Sequence, residues 1–399
     1  MKNILIIETE YLGHYLTGYI KYMLRALHKK KVKIHLLVSD KTLKNGIGAL
    51  SILKKEKTKF CIHKVKYVDV TGQGFIALLL YQIKLYFIIK KKFCTLNKNI
   101  KFNHIFLTSA QRIDKAISFF GSPFGNIKFS CIFLSLKFHL QSFSIKSEST
   151  NHFLSKLLFY KFLQTKNLFK IITNDYLLEK FVGDKDWENK NKIVSIHDPK
   201  EFNYQYKKNY SRKIINIKDD QFVILVYGAI INTKGIKELL KLFKIRNSNV
   251  HCIIAGKQLG ETKDFLKKDK FVQSLKQQNK ISLYDGWHSE KKESIFFNAS
   301  DAVWIGYKNY SFPSGVLYQA ISINKTCIIS NNGFLNELNK RYKFGVTVDI
   351  NNPEDILNSI DVMKKNKKTF LININKFKKI CKPTIWVDRF QSVFKDFFQ

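Results

Sequence analysis

The hydrophobic positions of this chain alternate between short apolar runs and longer segments with helical spacing. Residues 3–7 and 34–38 are apolar runs, and between them residues 16–27 place apolar side chains at helical spacing. The same order returns at 222–240, where the apolar run FVILVY precedes a loop and an amphipathic segment. Short apolar runs predict buried strands, and the periodic segments predict helices. The pattern therefore predicts an α/β fold built from strand–helix–strand units.

The length and a central break in the pattern predict two domains. The chain has 399 residues, which is more than one ordinary hydrophobic core accommodates. The regular pattern stops at His197-Asp198-Pro199, and a polar segment rich in lysine and tyrosine follows to about residue 220. We expect domains at 1–198 and 199–383, followed by an aromatic, amphipathic helix in the segment 384–399.

The charge is strongly one-sided. Lys and Arg total 69 against 31 Asp and Glu, which gives a formal net charge of +38. Such a surface attracts anionic lipid headgroups, nucleic acid or phosphorylated substrates, although a coding bias toward lysine accounts for part of it. Because no arginine-rich arm or zinc-knuckle spacing is present, we expect no nucleic acid partner.

Two basic, apolar stretches favour a membrane surface among these partners. Residues 75–93 and 152–172 combine bulky apolar side chains with lysines, including Lys156, Lys161 and Lys166. Bulky apolar residues flanked by basic ones are typical of helices that lie at a membrane interface. The alternative is that each stretch is a core helix whose lysines point to solvent. We expect peripheral contact with an anionic membrane.

The sequence predicts neither a metal site nor a disulfide framework. The six cysteines are far apart and form no CxxC pair. The segment Asp184-Lys185-Asp186 matches a DxD pattern, but it lies in a charged loop and we assign it no metal. The first ten residues differ from a signal peptide, and no run of about 18 uncharged apolar residues appears. We expect a cytoplasmic protein.

Two loops of the second half carry groups that suit a diphosphate. Gly228, Lys234 and Gly235 lie between the run at 222–227 and the next helix, and a second helix begins near Ser314, Gly315 and Val316. A lysine ammonium and a free helix N-terminus both bind phosphate oxygens. The alternative at the helix start is that Ser314 only caps the helix.

Other candidates flank the same predicted edges. Gly13 and His14 follow the first strand, where His14 could contact an acceptor hydroxyl or a donor phosphate. Gly286 and Trp287 follow a later strand and could frame a nucleobase through backbone contacts.

These motifs resemble the family 4 retaining glycosyltransferases. VYGAIINTKGIKELL is similar to that family's phosphate loop, ISLYDGWHSEKKESIFFNASDAVWI to its nucleotide segment, and PSGVLYQAISINKTCIIS to its E-x7-E helix and following strand. EYLGHYLTGYIKYMLRAL resembles its acceptor-side loop. The resemblance implies a GT-B fold, in which two Rossmann-like domains face each other across a cleft and the C-terminal helix packs back on the first domain. It implies a nucleotide diphosphate sugar as the donor substrate and no cofactor.

The chain departs from the family at the glutamates. Aligning Ala320 with the alanine after the second glutamate places Gln319 on that glutamate and Ser311 on the first. Ala229 replaces an arginine of the phosphate loop. A carboxylate for the ribose hydroxyls is thereby lost, since Gln319 offers one acceptor oxygen and an amide donor.

The resemblance implies a bacterial enzyme that transfers a sugar, with retention, to a lipid-linked or polysaccharide acceptor in cell-surface glycan synthesis. His14 and Lys234 are its expected catalytic residues. Two alternatives stay open at this point. One is a catalytically inactive GT-B-like module that binds a glycan or supports a partner, and the other is a nucleotide-sugar epimerase.

Overall fold

The computed structural model describes residues 1–11, 15–145, 152–245 and 249–398. Within those ranges the chain forms two compact units. Unit 1 takes in residues 1–144, 152–198 and 383–398, and unit 2 takes in residues 199–382. Each unit is built on one sheet whose strands pair in parallel, as the alternating pattern of apolar runs and helices predicts.

Unit 1 has a seven-stranded sheet in the order β3-β2-β1-β4-β5-β6-β7. The strands are β1 (Lys2–Glu8), β2 (Val32–Ser39), β3 (Phe60–Val65), β4 (His104–Leu107), β5 (Phe129–Phe133), β6 (Leu168–Thr173) and β7 (Ile193–Ser195). The helices are α1 (Lys21–Leu27, preceded by a π-helical turn at Leu16–Ile20), α2 (Asp40–Asn45), α3 (Ile47–Lys54), α4 (Gly74–Ile100), α5 (Asp114–Phe120), α6 (His152–Leu163) and α7 (Tyr176–Asp184). The chain reverses its direction of travel across the sheet between β1 and β4.

Unit 2 has a six-stranded sheet in the order β10-β9-β8-β11-β12-β13. The strands are β8 (Phe222–Tyr227), β9 (Val250–Gly256), β10 (Ile281–Asp285), β11 (Ala302–Ile305), β12 (Thr326–Ser330) and β13 (Gly345–Val348). The helices are α8 (Lys208–Ile214), α9 (Ile236–Leu240), α10 (Gly260–Lys268), α11 (Lys270–Gln277), α12 (Glu290–Ala299), α13 (Gly315–Ser322), α14 (Gly333–Tyr342), α15 (Pro353–Lys365) and α16 (Lys367–Ile380). Here the reversal lies between β8 and β11.

The last residues return to unit 1 as two short helices, α17 (Pro383–Val393) and α18 (Lys395–Phe398). The indole of Trp386 packs edge-on against Tyr19, with ring centroids 6.4 Å apart. Gln391 Nε2 donates to the carbonyl oxygen of Ala26, the residue before the end of α1, over 2.7 Å. The buried aromatic rings of this segment thus complete the core of unit 1.

Two segments differ from the sequence-based expectation. The stretch 152–172 is not one helix, because α6 ends at Leu163 and Asn167, at φ +66°, leads into β6. Lys166 therefore lies outside the helix. The polar segment after Pro199 contains α8, which is anchored by the fully buried side chain of Arg212. No helix within the described residues is both long and apolar enough to cross a bilayer.

Candidate functional site

The carboxyl ends of β8 and β11 meet at the reversal point of the unit 2 sheet. β8 ends at Tyr227, which Gly228 follows, and β11 ends at Ile305, which Gly306 and Tyr307 follow. In open parallel sheets, ligands bind beside the carboxyl ends of the strands where the strand order reverses. The predicted loop with Gly228 and Lys234 begins at this point.

Glycines let the backbones of this loop and its neighbours approach closely. Gly235 adopts φ +64°, and a Cβ atom there would lie 2.3 Å from the carbonyl oxygen of Gly306. Gly256, at φ +138°, would place a Cβ atom 1.8 Å from the carbonyl oxygen of Gly228. Both contacts are shorter than atoms tolerate, so each position requires glycine. The loop from 228 to 235 is thereby held against the ends of β9 and β11.

The ammonium group of Lys234 lies at the carboxyl ends of β8 and β11. Its Nζ donates to Tyr307 Oη over 2.7 Å and lies 4.1 Å from the centroid of that ring. Its carbonyl oxygen accepts from Trp304 Nε1 over 2.7 Å, which fixes the backbone. Burial lowers the pKa of Lys234 to about 7, because the enclosed ammonium has lost much of its hydration. An anion placed beside Nζ would restore the stability of the charged form.

The start of α13 lies next to Lys234. Ser314 does not cap the helix with its side chain, so the alternative of a simple capping serine is not observed. Its Oγ lies instead 3.3 Å from Tyr307 Oη. Since Tyr307 Oη accepts a hydrogen bond from Lys234, its own hydroxyl hydrogen can be donated in a hydrogen bond to Ser314 Oγ. The N–H groups of Gly315 and Val316 have no acceptor within the helix, because the first turn of a helix leaves its donors unused.

Gly228 brings the lysine and the helix together. A Cβ atom on Gly228 would lie 3.6 Å from Val316 Cγ2 and 3.7 Å from Lys234 Nζ. Five predicted residues therefore lie around one point of unit 2: Gly228, Lys234, Ser314, Gly315 and Val316. Their ammonium, N–H and hydroxyl groups are all hydrogen-bond donors, an arrangement that suits an anion.

One turn further along α13, the side chain of Gln319 contacts a carboxylate of the neighbouring helix α12. Gln319 Nε2 donates to Glu293 Oε1, a residue in the first turn of α12. The pKa of Glu293 is raised to about 7, mainly by burial; the charge of Lys200 opposes this shift, and that of Glu290 contributes to it. Burial also raises the pKa of Tyr227, with a further contribution from the charge of Glu293. Glu293 and Gln319 therefore lie near the end of β8, beside the group of donors.

Replacing Glu293 with glutamine should raise the free energy of unfolding near pH 8 and change it little near pH 4. Because the folded-state pKa of about 7 exceeds the ordinary value of 4.5, the wild type loses stability as pH rises between these values. The expected gain at pH 8 is at most about 3 kcal/mol. Urea denaturation at both pH values measures it, with the exposed Glu261→Gln as the matched control. An equal effect of Glu293→Gln at both pH values would contradict the assignment.

The other predicted residues lie elsewhere or outside the described part. Gly286, at φ +118°, and Trp287 follow β10 at the edge of the sheet, two strands from β8. The side chain of Trp287 is 78% exposed. Ser311 is buried in the segment between β11 and α13. Gly13 and His14 lie outside the described residues.

Sequence reasoning missed two groups of this site. Tyr307, which bonds Lys234, was not singled out, although its place directly after the β11 run could have pointed to the carboxyl end of a strand. Glu293 was also missed. It lies among the charges of the segment EKKES, where nothing in the sequence separates a partly buried carboxylate from a fully solvated one.

Comparison with known proteins agrees with this geometry. Residues 207–378 match the sequence profile of the family described as glycosyl transferases group 1. A glycosyltransferase from Rickettsia africae is similar in structure, with 15% identity, a TM-score of 0.68, and coverage of 100% of this chain and 99% of that one. Sucrose-phosphate synthase from Thermosynechococcus elongatus has 12% identity and a TM-score of 0.71, with the same coverage. No curated protein sequence gives a significant match.

A third similar structure is HepE from Anabaena in complex with UDP and glucose. It has 12% identity and a TM-score of 0.67, with coverage of 99% of this chain and 100% of that one. These three likenesses extend over both units, and the profile match covers most of unit 2. The fold and the profile match together identify the chain as a glycosyltransferase with a GT-B fold.

Proposed function

We propose that this enzyme transfers a sugar from a nucleotide diphosphate sugar to a hydroxyl group of a lipid-linked or polysaccharide acceptor, with retention at the anomeric carbon. The observation that carries the donor assignment is the meeting of Lys234, Tyr307 and Ser314 at the reversal point of the unit 2 sheet. An ammonium group and the open N-terminus of α13 together suit the two phosphates of a donor.

The same groups suit the charge change of the reaction. As the bond between the anomeric carbon and the phosphate oxygen breaks, its electron pair passes to the diphosphate. Lys234 and the first N–H groups of α13 stabilise that developing charge. The acceptor oxygen forms its bond on the face that the phosphate leaves, and its proton passes to the leaving phosphate oxygen. This route needs no carboxylate nucleophile from the protein.

We propose that Glu293 and Gln319 bind the hydroxyl groups of the nucleotide. Gln319 holds Glu293 through its amide hydrogen, which leaves carboxylate oxygen lone pairs available to accept from a diol. Glu293 of α12 would then take the place of the carboxylate that the resembled family carries at the position of Gln319 on α13. The raised pKa of Glu293 fits a carboxylate whose charged form would be stabilised by hydrogen bonds from the hydroxyl groups of a ligand.

A thermal-shift screen against UDP, GDP, CDP, ADP and dTDP tests the donor site. We expect one diphosphate, with UDP the first candidate because HepE binds it, to raise the melting temperature by mass action. The shift should disappear in Lys234→Met and persist in Lys237→Met, a variant at an exposed lysine of α9. No shift with any of the five would overturn the donor site and favour an inactive binding module.

Unit 1 carries an exposed apolar stripe across three neighbouring helices. On α4, the side chains of Ile76 and Leu80 are 73% and 62% exposed. Phe87 of α4 contacts Phe120 of α5, with ring centroids 5.6 Å apart. The whole stripe consists of exposed apolar residues on α4, α5 and α6: Ile76, Leu80, Phe87, Phe119, Phe120, Phe153 and Leu157.

The charges carried by the three helices of the stripe are nearly all positive, although Asp186 and Glu188 lie beside Phe153 and Leu157. Helices α4, α5 and α6 contain eight lysines and a single carboxylate, Asp114, which is buried and bonded to Gln82. The ammonium group of Lys161 lies 5.5 Å from the ring of Phe119. Lysines beside exposed apolar groups suit an anionic bilayer surface. We therefore propose that unit 1 contacts the inner face of the cell membrane through the stripe, where a lipid-linked acceptor would be found.

The double variant Ile76→Ser/Leu80→Ser should weaken binding to vesicles that contain anionic phosphatidylglycerol by about tenfold or more, because two exposed apolar side chains lose their burial in the lipid. Co-sedimentation measures the bound fraction, and high salt should weaken wild-type binding as well. The double variant Ile47→Ser/Ile372→Ser, at exposed isoleucines outside the stripe, serves as the control. Equal binding by both double variants would refute the assignment.

A further inference from the structure

A cavity lies at the amino ends of the unit 2 strands, on the side of the sheet opposite to the donor site. It has a volume of about 370 Å³ and is lined where β8, β11 and β12 begin, by residues that include Phe222, Asp301 and Thr326. From Phe222 to Tyr227 the strand β8 extends over about 17 Å, so this cavity is remote from Lys234. The volume falls within the range of small-molecule sites.

Four lysines line this cavity: Lys208, Lys325, Lys364 and Lys367. Three aspartates also line it, but Asp301 is engaged by Lys208 over 2.5 Å and by the buried Arg212 over 2.7 Å. Asp220 accepts from the side chain of Asn249. Within the described residues, Lys325, Lys364 and Lys367 have no carboxylate at ion-pair distance. Counting Asp219 as well, four lysines face three aspartates, so the lining carries a net charge of +1, and Arg212, which binds Asp301, adds one more positive charge.

Lys325 is the innermost of these cations. Its Nζ donates to the carbonyl oxygens of Ser300 and Asn298, over 2.6 and 3.0 Å, and one ammonium hydrogen remains. Burial lowers the pKa of Lys325 to about 8; Asp301 opposes the shift, and the charges of Lys208, Arg212 and Lys367 add to it. A buried lysine among other cations is costly unless an anion accompanies it.

The start of α16 adds to this positive field. Two lysines, Lys367 and Lys368, occupy its first positions, where the helix dipole disfavours cations. Asn366 does not cap the helix, because its side chain donates to the carbonyl oxygen of Val362. An anion in the cavity would offset both the dipole and the repulsion among the lysines.

The remaining wall is apolar. Phe222, Met363, Leu371 and Ile374 line the cavity, and the ammonium group of Lys364 lies 5.6 Å from the ring of Phe222. Inorganic phosphate alone would leave this surface uncovered. A ligand that combines a phosphate with an apolar or aromatic group would cover it and meet the lysines at the same time.

We propose that the cavity between α8, α15 and α16 is a second ligand site, which binds a small organic phosphate independently of the donor site. The lysines would bind the phosphate oxygens, and the side chains of Phe222 and Leu371 would contact the organic part. This assignment does not depend on the identity of the sugar donor.

Isothermal titration of the full chain with phenyl phosphate tests the proposal, with inorganic phosphate as the comparison. We expect phenyl phosphate to bind, and to bind at least tenfold more tightly than inorganic phosphate because of the apolar wall. The variant Lys364→Gln/Lys367→Gln should weaken phenyl phosphate binding at least tenfold. Lys365→Gln/Lys376→Gln removes the same charge from exposed lysines of α15 and α16 that do not line the cavity, and should change binding less than twofold.

The Lys234→Met variant separates the two sites, and should bind phenyl phosphate as the wild type does. Absence of binding, equal losses in the two double variants, or loss of binding in Lys234→Met would each overturn the proposal. Equal affinities for the two phosphates would remove the organic part of the ligand assignment.

Discussion

Replacing Lys234 with methionine should lower kcat/KM for sugar transfer by about 100- to 1000-fold, because it removes the cation beside the leaving diphosphate. Methionine retains the apolar part of the side chain and its packing. Lys237→Met, a change at an exposed lysine one residue into α9, should leave kcat/KM within about twofold. A Lys234→Met enzyme with wild-type kcat/KM would contradict the role of this lysine.

The pH dependence of the two enzymes sharpens this test. Burial lowers the pKa of Lys234 to about 7, so the free wild-type enzyme loses the ammonium form as pH rises above that value. A diphosphate favours the ammonium form, and donor binding above pH 7 therefore takes up a proton. We expect kcat/KM of the wild type to fall by up to about tenfold per pH unit above 7. In Lys234→Met that dependence should be absent.

Replacing Arg212 with methionine should lower the free energy of unfolding by about 3–5 kcal/mol. The fully buried guanidinium donates to the carbonyl oxygens of Ala299, Lys218 and Asp219 and to the carboxylate of Asp301. Methionine would fill much of the space but leave these acceptors without their donor.

Urea denaturation measures the effect of Arg212→Met. The control is Lys213→Met, at the next and exposed position of α8, which should change the free energy of unfolding by less than about 0.5 kcal/mol. A loss below about 1 kcal/mol in Arg212→Met would show that water or Lys208 satisfies the abandoned acceptors, and that the anchoring role of Arg212 is wrong.

The fold was predictable because its strands are buried on both sides and therefore appear as continuous apolar runs. The runs at 3–7, 34–38 and 222–227 correspond to β1, β2 and β8. The boundary of α6 was not predictable in the same way, because the apolar spacing continues through Leu168 after the helix has ended. The helix α8 was also missed, because polar side chains dominate its sequence and its main anchor is one buried arginine.

The candidate site was predictable only as far as local sequence defines it. The glycines and lysine of the loop, and the helix start at Ser314, are local features. The pair of Lys234 and Tyr307 spans 73 positions and arises because β11 pairs with β8. Likewise, Gln319 meets Glu293 because α12 and α13 are brought together by the fold, which a single sequence does not specify.

The return of the chain to unit 1 has a consequence for its synthesis. The core of unit 1 includes Trp386, Phe390 and Phe394, which follow the whole of unit 2 in the sequence. During translation, all of unit 2 is synthesised before these three aromatic residues. Until then, Tyr19 and Phe106 of unit 1 lack the rings that pack against them in the folded protein. Domains generally fold in the order in which their residues emerge. In this protein, unit 1 emerges first but its core can be completed only after unit 2 has been synthesised. During that time unit 1 would expose apolar surface to which a chaperone could bind.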